Sequence, residues 1–279
     1  MDKSVLLCGQ LNFPGASHDR AVGWVQSDIG KPEHRKLRLR LPPEQRPNPG
    51  DKLLPAPTTL VEAIHRFAFQ EDERSGTILL WTDTAASLKR LLTALGISAS
   101  IGMALGIIVG VIPYVRAALA PFVAALSLIP PLAILPILFI VAGLGELAKV
   151  LLIIIGVAPI IVRDVALRAA ELPGEQIIKA QTLGASTWLV VNRVVIPQMW
   201  PRLIDALRLT LGPAWLFLIA AEAIASTEGL GYRIFLLRRY LAMDVILPYV
   251  AWITLLAFAM DWLLRVGRAK LFPWAEPTR

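Results

Sequence analysis

Sulfur and imidazole are nearly missing from this chain. Its one cysteine, Cys8, excludes an intrachain disulfide and any metal site built on several thiolates. The three histidines, His18, His34 and His65, have no ligand-like spacing, so no metal is expected. Charge is scarce as well. Asp, Glu, Lys and Arg make up 18% of the residues, against roughly 25% in a soluble domain. No Gly-x4-Gly-Lys-Ser/Thr loop is present, so the chain is not expected to cradle ATP phosphates or to bind a cofactor of its own. No paired catalytic carboxylates and no Ser/His/Asp set stand out, and no enzymatic activity is expected. The N-terminal region lacks the apolar core of roughly 7–15 residues that a signal peptide needs.

Apolar residues are what the chain has in excess, at 56%. A bilayer-spanning helix needs about 20 of them in a row. Five such stretches fall at about 85–111, 117–142, 147–165, 204–225 and 243–267. The expected fold is therefore an all-α polytopic membrane protein, with membrane lipid around it. The formal charge of +7 is assigned to Lys and Arg flanking the spans, and no nucleic acid is expected as partner. Residues 166–203 do not span and carry Arg168, Lys179, Arg193 and Arg202, which places them in the cytoplasm by the positive-inside rule. The C-terminus falls on the same side, and counting back three spans puts the N-terminus outside.

Ahead of the spans, residues 1–52 are polar and proline-rich, with a basic run at 31–40. Leu60, Val61, Ile64 and Phe67 then recur at helical spacing, so 53–84 is expected to hold a short interfacial helix, too short to cross. Within the first span Gly102, Gly106 and Gly110 leave one helix face bare, which suits close helix packing. The second span is interrupted by Pro130, Pro131 and Pro136. Broken helices at membrane depth face protein or a water-filled cavity. This segment, with Leu128, Ile129 and Leu132 as its narrow part, is the expected translocation path. Glu222 is the main ionisable residue deep in a span; it stands either near that path or in a hydrogen bond to a neighbouring helix end. Asp205 and Arg208 can pair on one helix face.

The stretch from Ile178 to Pro197 reads as two short helical pieces joined near Gly184 and stopped before Pro197. A short amphipathic helix outside the bilayer suits a groove on a soluble partner. Here the chain resembles the permeases of ABC importers, whose coupling loop runs Glu-Ala-Ala, three residues, Gly, nine residues, Ile-x-Leu-Pro. Ala180, Gly184 and Pro197 match that pattern, with Ala185 and Ser186 following the glycine. Ile178 stands where the family has Glu and Lys179 where it has the first Ala, so the acidic contact is either absent or moved to Glu175. Leu54-Pro-Ala-Pro, Leu128-Ile-Pro-Pro and Gly229-Leu-Gly-Tyr232 resemble the same family, in its branch for nitrate, sulfonate, taurine and bicarbonate. That branch usually has a further span ahead of the Leu-Pro segment, and residues 1–50 contain none.

The resemblance implies a type I importer fold with about five spans in a permease domain at 85–272, a coupling helix inside 166–203, and a tail at 273–279. It also implies partners. These are two ATPase subunits that hold ATP and Mg, a second permease copy or a homologous one, and a periplasmic or lipid-anchored solute-binding protein. The expected home is the inner membrane of a prokaryote. Closure of the ATPases on ATP would pull the coupling helices together and open the path outward, provided ATP stabilises the outward state more than the inward one. The rival reading is a secondary transporter or channel driven by an ion gradient. It would need intramembrane ionisable relays and often internal repeats.

Overall fold

The computed structural model describes residues 57–71 and 76–275, and every regular element among them is a helix. The tract at 1–52, with Cys8, lies outside the described residues. Helix α1 is Pro57–Phe69, α2 is Leu79–Val111, α3 is Pro113–Ser127, α4 is Pro131–Ala142 and α5 is Glu146–Ala170. A short α6, Gly174–Thr182, follows. Next come α7 at Thr187–Val190, a π-helical turn at Val191–Val195 and α8 at Ile196–Ala225. Helices α9, Leu230–Arg238, and α10, Met243–Leu271, follow, and a 3-10 turn at Pro273–Ala275 is the last described element. Among the described residues four helical stretches are long and apolar enough to cross a bilayer: α2, α5, α7 through α8, and α10. The pair α3–α4 passes the same test together, bent by 90°, and makes the fifth crossing when counted as one.

The bend has a local cause. A residue that precedes proline is pushed out of the helical region, and Ile129 and Pro130 both do. Pro130 has ψ 113°, and Pro131 then opens α4 at its first position, where a missing N–H is no loss. Pro136 was expected to add to the break, yet it sits inside an unbroken α4. So near the helix start it forfeits one hydrogen bond, and Leu135 beside it is buried.

Pro197 also differs from expectation. It does not stop a helix, because α7, the π turn and α8 form one stretch from Thr187 to Ala225. The turn ahead of it is wide: the N–H of Ile196 bonds to the carbonyl of Val191, five residues back. That slack takes up the clash a proline ring makes with the preceding turn. Within 166–203, α5 continues to Ala170, α6 takes Gly174–Thr182 and the next long helix begins at Thr187.

Helices α2 and α5 lie parallel and close. A Cβ placed on Gly102 would meet Ile161 Cγ2 at 2.3 Å, one on Gly106 would meet Val165 Cβ at 2.7 Å, and one on Gly110 would meet the carbonyl oxygen of Ala166 at 2.6 Å. Ala169 Cβ also lies 2.6 Å from a Cβ at Gly110, so the side-chain partners Ile161, Val165 and Ala169 advance by four residues as the glycines do, and the two helices stay in register over more than two turns. The Ala166 oxygen is backbone, which cannot rotate away. Gly110→Val is therefore expected to destabilise the bundle by roughly 1–3 kcal/mol or more through overpacking. Gly96→Val on the same helix, where nothing lies within 4 Å, is expected to leave it nearly unchanged. Thermal unfolding of the two purified variants in detergent checks the difference.

Helix α8 crosses α5 at Gly156, where a Cβ would lie 2.3 Å from Phe217 Cε2. Between α8 and α10, Arg208 and Asp205 do pair at 3.8 Å, but both reach further. Arg208 bonds Asp261 at 2.8 Å, and Asp205 takes Arg268 at 3.2 Å. The expected local pair is in fact a clamp between two helices.

Candidate functional site

The start of α2, the start of α5, the end of α8 and the start of α9 meet at one end of the bundle. Glu222 lies there, wholly buried. Its carboxylate accepts from Ser87 Oγ at 2.8 Å, from Arg90 Nη1 at 2.8 Å and from the N–H of Gly231 at 2.9 Å. A helix start leaves its first N–H groups unsatisfied. At α9 three consecutive ones are met from other helices. Gly229 donates to Asp83 Oδ1 at 3.0 Å, Leu230 to Ser87 Oγ at 2.9 Å, and Gly231 to Glu222 Oε2. Two carboxylates at that helix start also suit its dipole. Gly229 is required twice over. Its φ is +126°, and a Cβ would fall 2.6 Å from Glu222 Cδ.

Arg90 is the hub of this knot. Besides Glu222 it bonds the carbonyl of Glu228 at 3.0 Å and grips Glu146 through Nε and Nη2. Lys149 Nζ shares Glu146 at 2.7 Å. Asp83 in turn holds Arg233 Nε at 2.8 Å, and Tyr249 brings in α10 with its hydroxyl at 3.4 Å. Burial works against the charge on Arg233, but the hydrogen bond and the negative charge of Asp83 outweigh it and raise its pKa above the ordinary arginine value. Asp83, Glu146 and Glu222 face Arg90, Lys149 and Arg233, while Glu228, half exposed at the rim, adds a fourth acid 3.9 Å from Arg90. Each buried charge in the knot is thus paired, as burial demands.

Of the charged side chains in this knot the sequence points to Glu222 alone, and it marks Gly229-Leu-Gly-Tyr232 as a family segment. The signal for the rest was present: Asp83, Ser87 and Arg90 form a polar stripe at helical spacing on an otherwise apolar helix. The expected boundary at residue 84 falls inside α2 and through that stripe.

At the opposite end α6 projects from the bundle with none of its residues buried. Gly184 ends it in the left-handed region, at φ +84°. The N–H of Gly184 bonds the carbonyl of Gln181 at 2.9 Å and that of Ala185 bonds Ala180 at 3.1 Å, the paired bonds of a Schellman stop. Ser186 then caps α7 by accepting from the N–H of Leu189. Nothing lies within 4 Å of a Cβ on Gly184, so its φ alone calls for glycine. Glu175, Ile178 and Lys179 are exposed on α6, and Leu183 and Trp188 flank the turn with 81% and 75% of their surface free. Ala180, Ala185 and Pro197 are half-buried.

A cleft of about 420 Å³ lies between the bend and helices α5 and α8. Leu128, Ile129, Pro130 and Pro131 line it, opposite Gly156 and Phe217. Leu132 and Pro136 are exposed but do not line it, and neither does Glu222. Its lining carries no charged side chain.

The family described as "binding-protein-dependent transport system inner membrane component" matches residues 102–271. The taurine transport system permease protein TauC of Escherichia coli is 35% identical over 221 residues, which is 79% of this chain and 80% of that one. The bicarbonate transport system permease protein CmpB of Synechococcus elongatus is 32% identical over 197 residues, 67% and 70% of the two chains. Among solved structures, an inward-facing form of the MetNI methionine ABC transporter superposes with a TM-score of 0.54 at 20% identity, over 68% of this chain and 94% of that one. The fold is that of a type I importer permease.

Proposed function

The chain belongs to the family of binding-protein-dependent transport system inner membrane components, and from that premise we propose that this importer permease carries a small sulfonate such as taurine across a prokaryotic inner membrane. The likeness to the taurine permease over most of both chains is the observation that carries the solute class. The cleft at the bend supports a path that holds its solute weakly. A lining without charge offers an anion no deep well, and conduction needs binding weak enough to leave. Selection then rests with a binding protein that delivers the solute to the outer end.

Energy enters at the other end. Helix α6, the Gly184 turn, Ile178, Leu183 and Trp188 form an exposed apolar and charged surface fit for a groove on a separate ATPase. Glu175, near the start of α6, supplies an acidic group where Ile178 supplies none. Two permease copies, or one with a related chain, frame the path, and two ATPases dock below.

The test is uptake of labelled taurine into vesicles that hold the permease–ATPase complex, with ATP enclosed and binding protein outside. Taurine uptake that depends on ATP is expected. ATP-dependent uptake of bicarbonate alone would keep the importer and replace the solute. Uptake that follows an ion gradient and ignores ATP would contradict both.

A further inference from the structure

A cavity of about 660 Å³ opens beside the root of α6, between the end of α5, the start of α8 and the last described turn of the chain. Arg168, Arg202, Arg268, Glu171, Pro173 and Trp274 contribute to its wall. Three guanidinium groups against one carboxylate leave the wall positive. Two of the three are partly committed: Arg168 reaches Glu171 at 3.4 Å and Asp164 at 3.8 Å, and Arg268 has Asp205 at 3.2 Å. The Nε of Arg268 is buried and faces Asp205 Oδ2 at 3.2 Å without hydrogen-bond geometry, and its Nη2 donates to the carbonyl of Ala275 at 3.4 Å. Arg202 is exposed and has no side-chain partner among the described residues. Trp274 and Trp200 at this end are also exposed, as tryptophans at a membrane boundary are.

Guanidinium groups match the oxygens of a phosphate in geometry as well as charge. Basic pockets between helices at the cytoplasmic boundary are suited to anionic head groups. We propose that this cavity binds a phosphate-type oxyanion, supplied by an anionic phospholipid head group or by soluble phosphate. Its occupant would bridge Arg202 and Arg268 to the segment Glu171–Pro173, from which α6 departs, and so brace the base of the exposed turn.

The full-length chain, purified in neutral detergent, is equilibrated with equal amounts of phosphatidylglycerol and phosphatidylcholine and examined by native mass spectrometry. A lipid occupant predicts retention of phosphatidylglycerol over phosphatidylcholine by about tenfold, lost in Arg202→Gln and in Arg168→Gln. Arg193→Gln, an exposed arginine outside this cavity, should leave it intact. In a second arm inorganic phosphate alone is titrated without added lipid, against chloride at equal ionic strength. A soluble occupant predicts a phosphate-specific rise in the unfolding midpoint that Arg202→Gln removes. Unchanged unfolding midpoints of the ligand-free variants show that folding is not what was lost. The proposal is overturned if neither arm responds, or if Arg193→Gln lowers the response as much as Arg202→Gln.

Discussion

Replacing Arg90 by methionine is expected to cost this permease a large share of its stability. Among the described residues Arg90 is the one basic side chain bonded to Glu222, which has no exposed surface. Methionine fills similar space but supplies no charge and no donor. Glu222 would keep Ser87 and the N–H of Gly231 while its negative charge stood uncompensated. Breaking a buried pair from one side costs roughly 3–5 kcal/mol. Glu146 suffers less, since Lys149 still reaches it and most of its side chain is exposed. The knot also predicts a rescue. In the Arg90→Met background, Glu222→Gln should recover part of the loss, because an amide needs no counter-charge and can still accept from Gly231. Unfolding midpoints of the two singles and the double, measured in one detergent, close the cycle. Additive losses would mean that the two residues are not coupled as their 2.8 Å contact indicates.

Gly184→Val should have the opposite profile, with little change in folding and a large loss of coupling. The left-handed φ of +84° excludes a β-branched residue. Holding one there costs roughly 1–3 kcal/mol, so the turn will rearrange instead. The bundle does not feel the added side chain, because nothing lies near it. What moves is the surface: Leu183 on one side, and Ser186 with its cap and Trp188 on the other. A loss of about 1.4 kcal/mol at each docking site is already tenfold in affinity. Gly184→Asn is the control, since asparagine tolerates this region of backbone space. Co-purification of the ATPase and solute uptake are compared at matched permease levels. Normal docking and normal uptake in Gly184→Val would remove the main support for the coupling role of α6.

The two ends were not equally legible. The stop at Gly184 is local chemistry: a helix, a glycine and a capping serine follow one another in sequence, and the structure has that turn. The break at Pro130 and Pro131 is local in the same way. The knot is not. Asp83 and Gly229 are 146 positions apart, and Arg90 and Glu222 are 132 apart. Hydropathy sees each as one polar residue in an apolar run and says nothing of its partner. Pro197 and Pro136 mark a different limit. A proline predicts a lost bond, but whether the helix stops depends on slack nearby, and the π turn at 191–195 carries no composition that announces it.

A coupling role for α6 requires that the exposed turn at Gly184 face the ATP-containing side and the knot at Glu222 the other. The helices are consistent with this, since α8 runs from beside the first to the second without reversing. With Cys8 replaced by serine, single cysteines at Gln181 and Thr227, both exposed, are labelled with a membrane-impermeant maleimide in intact cells and in inverted vesicles. Gln181→Cys is expected to react only in inverted vesicles and Thr227→Cys only in intact cells. Reaction of both from the same side would contradict the account.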